Sequence, residues 1–113
     1  MERRVLAYKN YFVDFINSLN DAESRKVFYV IEMLKCQERL SEKFVKHLED
    51  GIYELRAECA GNIFRVMFIF DEGNIVMLFN GFHKKTQKTP RKEIILAKRL
   101  RNEYYNEKRK YYR

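Results

Sequence analysis

At Gly51 the spacing of apolar residues changes from about 3.6 to about 2, and this switch confines the chain to a helical first half and a β-rich second half. GIYELRAE (51–58) alternates, while NIFRVMFIF (62–70) and NIVMLFNGF (74–82) are β-branched and aromatic runs. CAGN and DEGN supply tight loops between them, which predicts an antiparallel meander of three strands. With Ala60-Gly61 as a two-residue loop, Arg56 lies opposite Arg65, Leu55 opposite Val66 and Tyr53 opposite Phe68. This register collects Tyr53, Leu55, Phe64, Val66, Phe68 and Phe70 on one face and sends both arginines to the other. A slip of one residue would mix the two faces. A four-residue loop over 71–74 would pair Arg65 with Asn80 and carry His83, Lys84 and Lys85 to the edge of the arginine face.

The first half reads as helices. Residues 3–8 predict a short strand, and Phe12, Phe15, Ile16 and Leu19 recur as one helical face. Asn20 with Glu23 forms a near capping box for a helix running to Cys36, with Val27, Val30, Ile31 and Leu34 buried. Ser41 is a second candidate cap, and Phe44, Val45 and Leu48 predict a short helical turn before Gly51. Pro90 opens a last helix at a position where its missing N–H costs nothing. Leu96, Ala97, Leu100 and Tyr104 form its core stripe, and residues 107–113 read as a basic tail. The expectation is one α+β domain over residues 1–113: an antiparallel meander packed on two N-terminal helices, with a C-terminal helix.

Charge then narrows the partners. The chain carries 23 Lys+Arg against 16 Asp+Glu, a net +7. Residues 1–87 hold 13 of each sign, so the whole excess lies in residues 88–113. Such asymmetry favours a polyanionic partner, chiefly nucleic acid or ribosomes, or an acidic protein, over a solvated tail. No apolar run approaches the ~20 residues that span a bilayer, and the N-terminal MERRVLAYKNYF has no apolar stretch of signal-peptide type. Cys36 and Cys59 stand far apart without a histidine motif, which fits free thiols in a cytoplasmic chain. With two histidines and no carboxylate pair at ligand spacing, neither a metal nor another cofactor is expected.

Two arginines directly opposed on a sheet cost a few tenths to about 1 kcal/mol. Either Glu54 or Glu58, on the same face, neutralises them, or they form an anion site whose guanidinium forks match phosphate.

At these residues the chain resembles a known group. HLEDGIYELRAE, GNIFRVMFIF and NIVMLFNGFHKKTQKTPRKEIILAKRLRNEYY are similar to the RelE/HigB superfamily of toxins from bacterial type II toxin–antitoxin systems, in its phage-derived HigB-like branch. The resemblance spans about residues 5–105, with Glu54-Leu55-Arg56 and Phe82-His83-Lys84-Lys85-Thr86 through Thr89-Pro90 as its most specific parts. It implies a RelE-like fold and ribosome-dependent, metal-free cleavage of mRNA. It also implies neutralisation by a cognate antitoxin, often a helix-turn-helix protein that contacts DNA. Arg56 and Arg65 match the family arginines that hold the scissile phosphate, and Lys84 and Lys85 match its basic positions after the last strand.

Metal-free cleavage uses the RNA's own 2′-OH, which attacks phosphorus and leaves a cyclic phosphate and a 5′-OH. The protein supplies a base, an acid and fixed positive charge. Arg56 and Arg65 suit the charge role, and His83 suits proton transfer because imidazole titrates near neutrality. Lys84 and Lys85 serve as base or phosphate holders, and His47 is a weaker candidate for chemistry. Lys88, Arg91, Lys92, Lys98, Arg99 and Arg101 are expected to touch ribosomal RNA or the antitoxin. Tyr104 and Tyr105 are candidates for a C-terminal catalytic tyrosine, with Tyr104 favoured as core, and Tyr111 and Tyr112 are candidates for stacking. The competing readings are a ParE-like inhibitor of gyrase on the same fold and a plain RNA-binding module. Fold alone does not separate them.

Overall fold

The computed structural model describes residues 2–84 and 88–111. Its elements run β1 (Arg4–Ala7), α1 (Tyr11–Asn17), α2 (Asp21–Cys36), β2 (Val45–Glu49), β3 (Ile52–Cys59), β4 (Asn62–Asp71), β5 (Ile75–Lys84) and α3 (Arg91–Tyr111). The α2 start follows the sequence closely. Asn20 accepts from the Glu23 backbone N–H at 2.9 Å while the Glu23 carboxylate accepts from the Asn20 N–H at 2.9 Å.

The meander of β3, β4 and β5 is present, but it is the centre of a five-stranded mixed sheet ordered β1-β5-β4-β3-β2. Strand β1 adds in parallel beside β5, pairing Val5 with Val76. Strand β2 replaces the helical turn expected around Phe44–Leu48 and pairs antiparallel with β3, Val45 opposite Leu55 and His47 opposite Tyr53. The physical reason is that Val45 and Leu48 serve different cores. Val45 packs against the cluster under α1 and α2, while Leu48 packs on the opposite side. A helical turn would place them on one face, whereas a strand with an irregularity between His47 and Glu49 separates them.

The first meander hairpin has the expected register, with Arg56 opposite Arg65 and Cys59 opposite Asn62. Ala60 and Gly61 both take positive φ (52° and 80°), as a two-residue hairpin loop requires. The second hairpin departs from expectation. Asp71 pairs with Ile75, and a bulge sets Met67 against both Phe79 and Asn80, so Arg65 lies opposite Phe82 rather than Asn80. The bulge shifts the alternation of β5 by one. Met77 and Phe79 lie on the same side of the sheet as Phe82, whereas Gly81 backs directly onto Phe15 of α1.

Both faces of the sheet are covered. Phe12, Phe15, Val27, Val30 and Leu34 of α1 and α2 pack on Leu55, Phe64, Val66 and Phe68. On the other face, Ala97 and Leu100 of α3 pack on Ile52, Met67, Ile69 and Phe79, with Tyr104 alongside. The bulged Asn80 anchors the first turns of α3. Its side-chain amide donates to the Glu93 carbonyl at 3.2 Å and to the Glu93 carboxylate at 3.0 Å.

Candidate active site

The arginine face is therefore the α3 face, and this decides what each arginine can touch. Arg65 is fully buried (0% exposed) and its Nε stands 3.5 Å from Glu54 Oε1. Glu54 is itself buried, and the same oxygen faces Arg56 Nε at 3.4 Å. Its second oxygen accepts a hydrogen bond from the Thr89 hydroxyl at the entrance to α3. One internal carboxylate thus ties together β3, β4 and the α3 N-terminus, and offsets the repulsion between opposed guanidiniums. Burial lowers the Arg65 pKa, with Arg56 acting in the same direction and Glu54 opposing. The expectation that both arginines grip one phosphate is corrected here: Arg65 lies inside, behind Glu54, and only Arg56, whose side chain is 19% exposed, reaches solvent. Of the two carboxylates weighed from sequence, Glu54 is the neutraliser, and Glu58 is exposed.

Arg56 opens into a groove of about 400 Å³ between the β2–β3 edge and the start of α3. Lys46, His47, Glu49, Glu54, Lys88, Thr89 and Arg91 share its lining. Lys46 pairs with Glu54 in register, which places it on the arginine side of the sheet. The His47 ring packs edge-on against Tyr53, at 5.0 Å between centroids, on the side of the sheet away from Arg56. Arg91 and Lys98 both bind Glu49, which closes the far end of the groove and holds the Glu49 carboxyl down at about 2, first through Arg91 and then through Lys98.

His83 does not join this groove. It pairs with Phe64 across the strands, on the α1–α2 face, and its ring stacks on Phe64 at 4.8 Å. The bulge in β5 causes this; without it His83 would share the face of Arg65. Lys84 ends β5 opposite Ile63, and Lys85 lies outside the described residues. Lys88 and Arg91 line the groove, and Lys92 is exposed on the first turn of α3. Lys98 binds Glu49, Arg99 pairs with Glu103 at 3.6 Å, and Arg101 pairs with Asp50 at 3.2 Å. Tyr104 packs on Tyr8 and Phe79 and donates to Asp71, so it is core, as its spacing suggested. Tyr105 lies beside it, its pKa raised by burial. The side chain of Tyr111 and all of Tyr112 lie outside the described residues. Among those residues, no group of three or more His, Cys, Asp or Glu side chains is set to hold a metal ion, and no helix is long and apolar enough to cross a membrane.

Sequence reasoning missed Lys46 and Glu49, because the segment that carries them was read as helix. The Asp50-Gly51 dipeptide, a hairpin-turn pair standing directly before the alternating run of β3, was the signal that would have found them.

This arrangement, a sheet clasped between two N-terminal helices and one C-terminal helix, is that of the RelE fold. The structure of an archaeal RelE–RelB complex from Pyrococcus horikoshii OT3 superposes with a TM-score of 0.55 at 18% identity, covering 78% of this chain and all of that one. Residues 14–102 match the model of the phage-derived Gp49-like proteins, and the chain belongs to that family. The RelE/HigB resemblance read from the meander, and its phage-derived branch, are thereby borne out. No curated protein sequence matches the chain.

Proposed function

We propose that this chain is the toxin of a toxin–antitoxin pair and acts as a metal-free endoribonuclease on mRNA held by the ribosome. The observation that carries the reading is Arg56: a guanidinium oriented by a buried carboxylate, presented in a groove that Lys46, Lys88 and Arg91 line together with Glu49. Family membership and the RelE fold support it. The chemistry follows from these parts. Lys46, Lys88 and Arg91 hold phosphates on either side of the scissile bond. Arg56 meets the negative charge that develops as the 2′-oxygen attacks phosphorus and the 5′-oxygen leaves. Arg65 acts through Glu54, fixing the carboxylate that aims Arg56, and is a positioning residue. His83 lies on the wrong face for proton transfer. His47 pairs with Tyr53, so its ring too lies across the sheet from Arg56, and neither histidine is given that role in this reading. The partner is a cognate antitoxin, in keeping with the neighbour's own complex, and a helix-turn-helix protein by the family resemblance.

The test is cleavage of mRNA in a translating extract, with the ends mapped. The purified protein should leave 5′-hydroxyl ends within translated codons. Arg56→Ala should lower the cleavage rate by roughly 10²–10³-fold, the cost of one transition-state charge partner, while melting near wild type. A folded Arg56→Ala protein that cuts at the wild-type rate, or intact mRNA with the wild-type protein, would sink the reading.

A further inference from the structure

Strand β2 leaves the sheet early, and a second concavity opens where it departs. The Arg56 backbone N–H donates to the Phe44 carbonyl at 2.8 Å, the last bond along that edge, and beyond it β3 has no outer neighbour strand. The space that results, about 590 Å³, is lined by Lys26 and Tyr29 of α2, Lys43 and Phe44 of the turn before β2, and Arg56 and Glu58 of β3. Arg56 is the residue it shares with the groove described above.

Three features of this concavity point to a ligand. Tyr29 is 61% exposed, an aromatic ring left open to solvent on a helix whose opposite side is core. Lys26 lies three residues before it, on the same side of α2, and Lys43 stands 5.5 Å from the Phe44 ring. Three cations, Lys26, Lys43 and Arg56, and one carboxylate, Glu58, therefore line one concavity beside an accessible ring. An aromatic platform flanked by cations is what an unstacked nucleobase and its phosphates require.

We propose that this concavity is a base-stacking subsite for single-stranded RNA, holding the nucleotide next to the one whose phosphate meets Arg56. The proposal rests on the endoribonuclease reading. The base lies on the Tyr29 ring, with Phe44 as the floor. Lys26 and Lys43 hold its phosphates. Glu58, an acceptor without a hydrogen to donate, takes the exocyclic amine of cytosine, adenine or guanine; uracil has none, and its one base N–H lies between two carbonyls that repel a carboxylate, so uridine is the disfavoured occupant.

The experiment is fluorescence anisotropy at low salt with labelled 2′-O-methyl oligocytidylate and oligouridylate, in which the attacking hydroxyl is blocked. Wild type should bind the cytidine strand more tightly than the uridine strand. Tyr29→Ala should weaken cytidine binding roughly 5- to 150-fold, while Tyr29→Phe retains it. The double change of Lys26 and Lys43 to alanine should reduce the slope of log K against log salt by about 1.4, two phosphates' worth. Because Tyr29, Lys26 and Lys43 are exposed, melting temperatures should stay at the wild-type value. If Arg56→Ala abolishes binding and Tyr29→Ala does not, the subsite is refuted and the cleavage reading survives. Equal affinity for the two strands removes the role given to Glu58. An oligoglutamate peptide that binds with the same Tyr29 dependence, in the absence of RNA binding, would make the concavity a protein-docking surface and overturn the proposal.

Discussion

Replacing Glu54 with glutamine withdraws one negative charge from a place that water does not reach. The carboxylate is 1% exposed and faces Arg65, 0% exposed, at 3.5 Å and Arg56 at 3.4 Å. Glutamine is nearly isosteric and keeps an acceptor for Thr89, so packing is little changed and the loss is electrostatic. Removing one partner of a buried ion pair typically costs about 3–5 kcal/mol, because the remaining charge stays desolvated. The Arg56 share is discounted, since that side chain reaches solvent, so the fully buried Arg65 carries most of the cost. For a chain of 113 residues, unfolding entropy of roughly 2 cal/mol/K per residue converts each kcal/mol into about 4 °C. Glu54→Gln should therefore melt roughly 12–20 °C below wild type. Urea denaturation with an unchanged m-value would show that the native state alone is affected. The double variant Glu54→Gln/Arg65→Met removes both charges and should be more stable than the sum of the single changes by about 1–3 kcal/mol. A Glu54→Gln protein within about 0.5 kcal/mol of wild type, or strict additivity in the double variant, would refute the view that this carboxylate holds the arginine pair.

Further outcomes are expected from three other sites. Glu49 is held at about 2 instead of its ordinary 4.5 by Arg91 and then Lys98. A carboxyl depressed by folding stabilises above its unfolded value and loses that effect as pH falls through the folded one. The stability gap between wild type and Glu49→Gln, full above about pH 5, should close on acidification toward about pH 2; a gap constant with pH contradicts this. Tyr8 is pushed up to about 12, first by burial and then by the hydrogen bond it donates to Glu107 at 2.7 Å. With its folded value raised, its contribution is intact below about pH 10 and lost as pH rises through about 12. Ultraviolet titration should show a tyrosinate step there that Tyr8→Phe lacks. Gly81 faces the Phe15 ring, where an added Cβ would lie 2.3 Å from Cδ2. Gly81→Ala should cost about 1–3 kcal/mol in denaturation, partly restored by Phe15→Leu.

Much of this frame is legible in the residues. The capping box at Asn20, the Ala60-Gly61 turn and the Arg56–Arg65 register all follow from local chemistry that tertiary contacts leave alone. What escaped is non-local. Edge strand β2 is only five residues long, and its apolar positions, split between two cores, imitate a helical turn. The bulge at Phe79-Asn80 depends on the partner strand, so alternation alone could not place His83. The burial of Arg65 did have a signal. IFRVMFIF is apolar at both parities, the pattern of a strand covered on both faces, and an arginine inside such a run is an interior residue with an interior counter-charge.

The same two-sided covering changes the meaning of the net charge. Residues 88–113 contain every surplus cation, which from composition alone makes α3 a polyanion-binding stripe. In the fold, Arg91 and Lys98 face Glu49, Arg101 faces Asp50, and Lys108 faces Asp71 at 2.8 Å. These carboxylates sit in or beside the β2–β3 and β4–β5 turns, so much of the helix's charge fastens α3 to the sheet. Pairs this close to solvent are individually weak, about 0–1 kcal/mol each, but they fix the register of the helix along the turns. That register brings Lys88 and Arg91 beside Arg56 and sets Thr89 against Glu54. The charge imbalance thus bears on the proposed RNA binding only indirectly. The cations that compose the groove number few, and the remainder hold the helix whose first turn completes it.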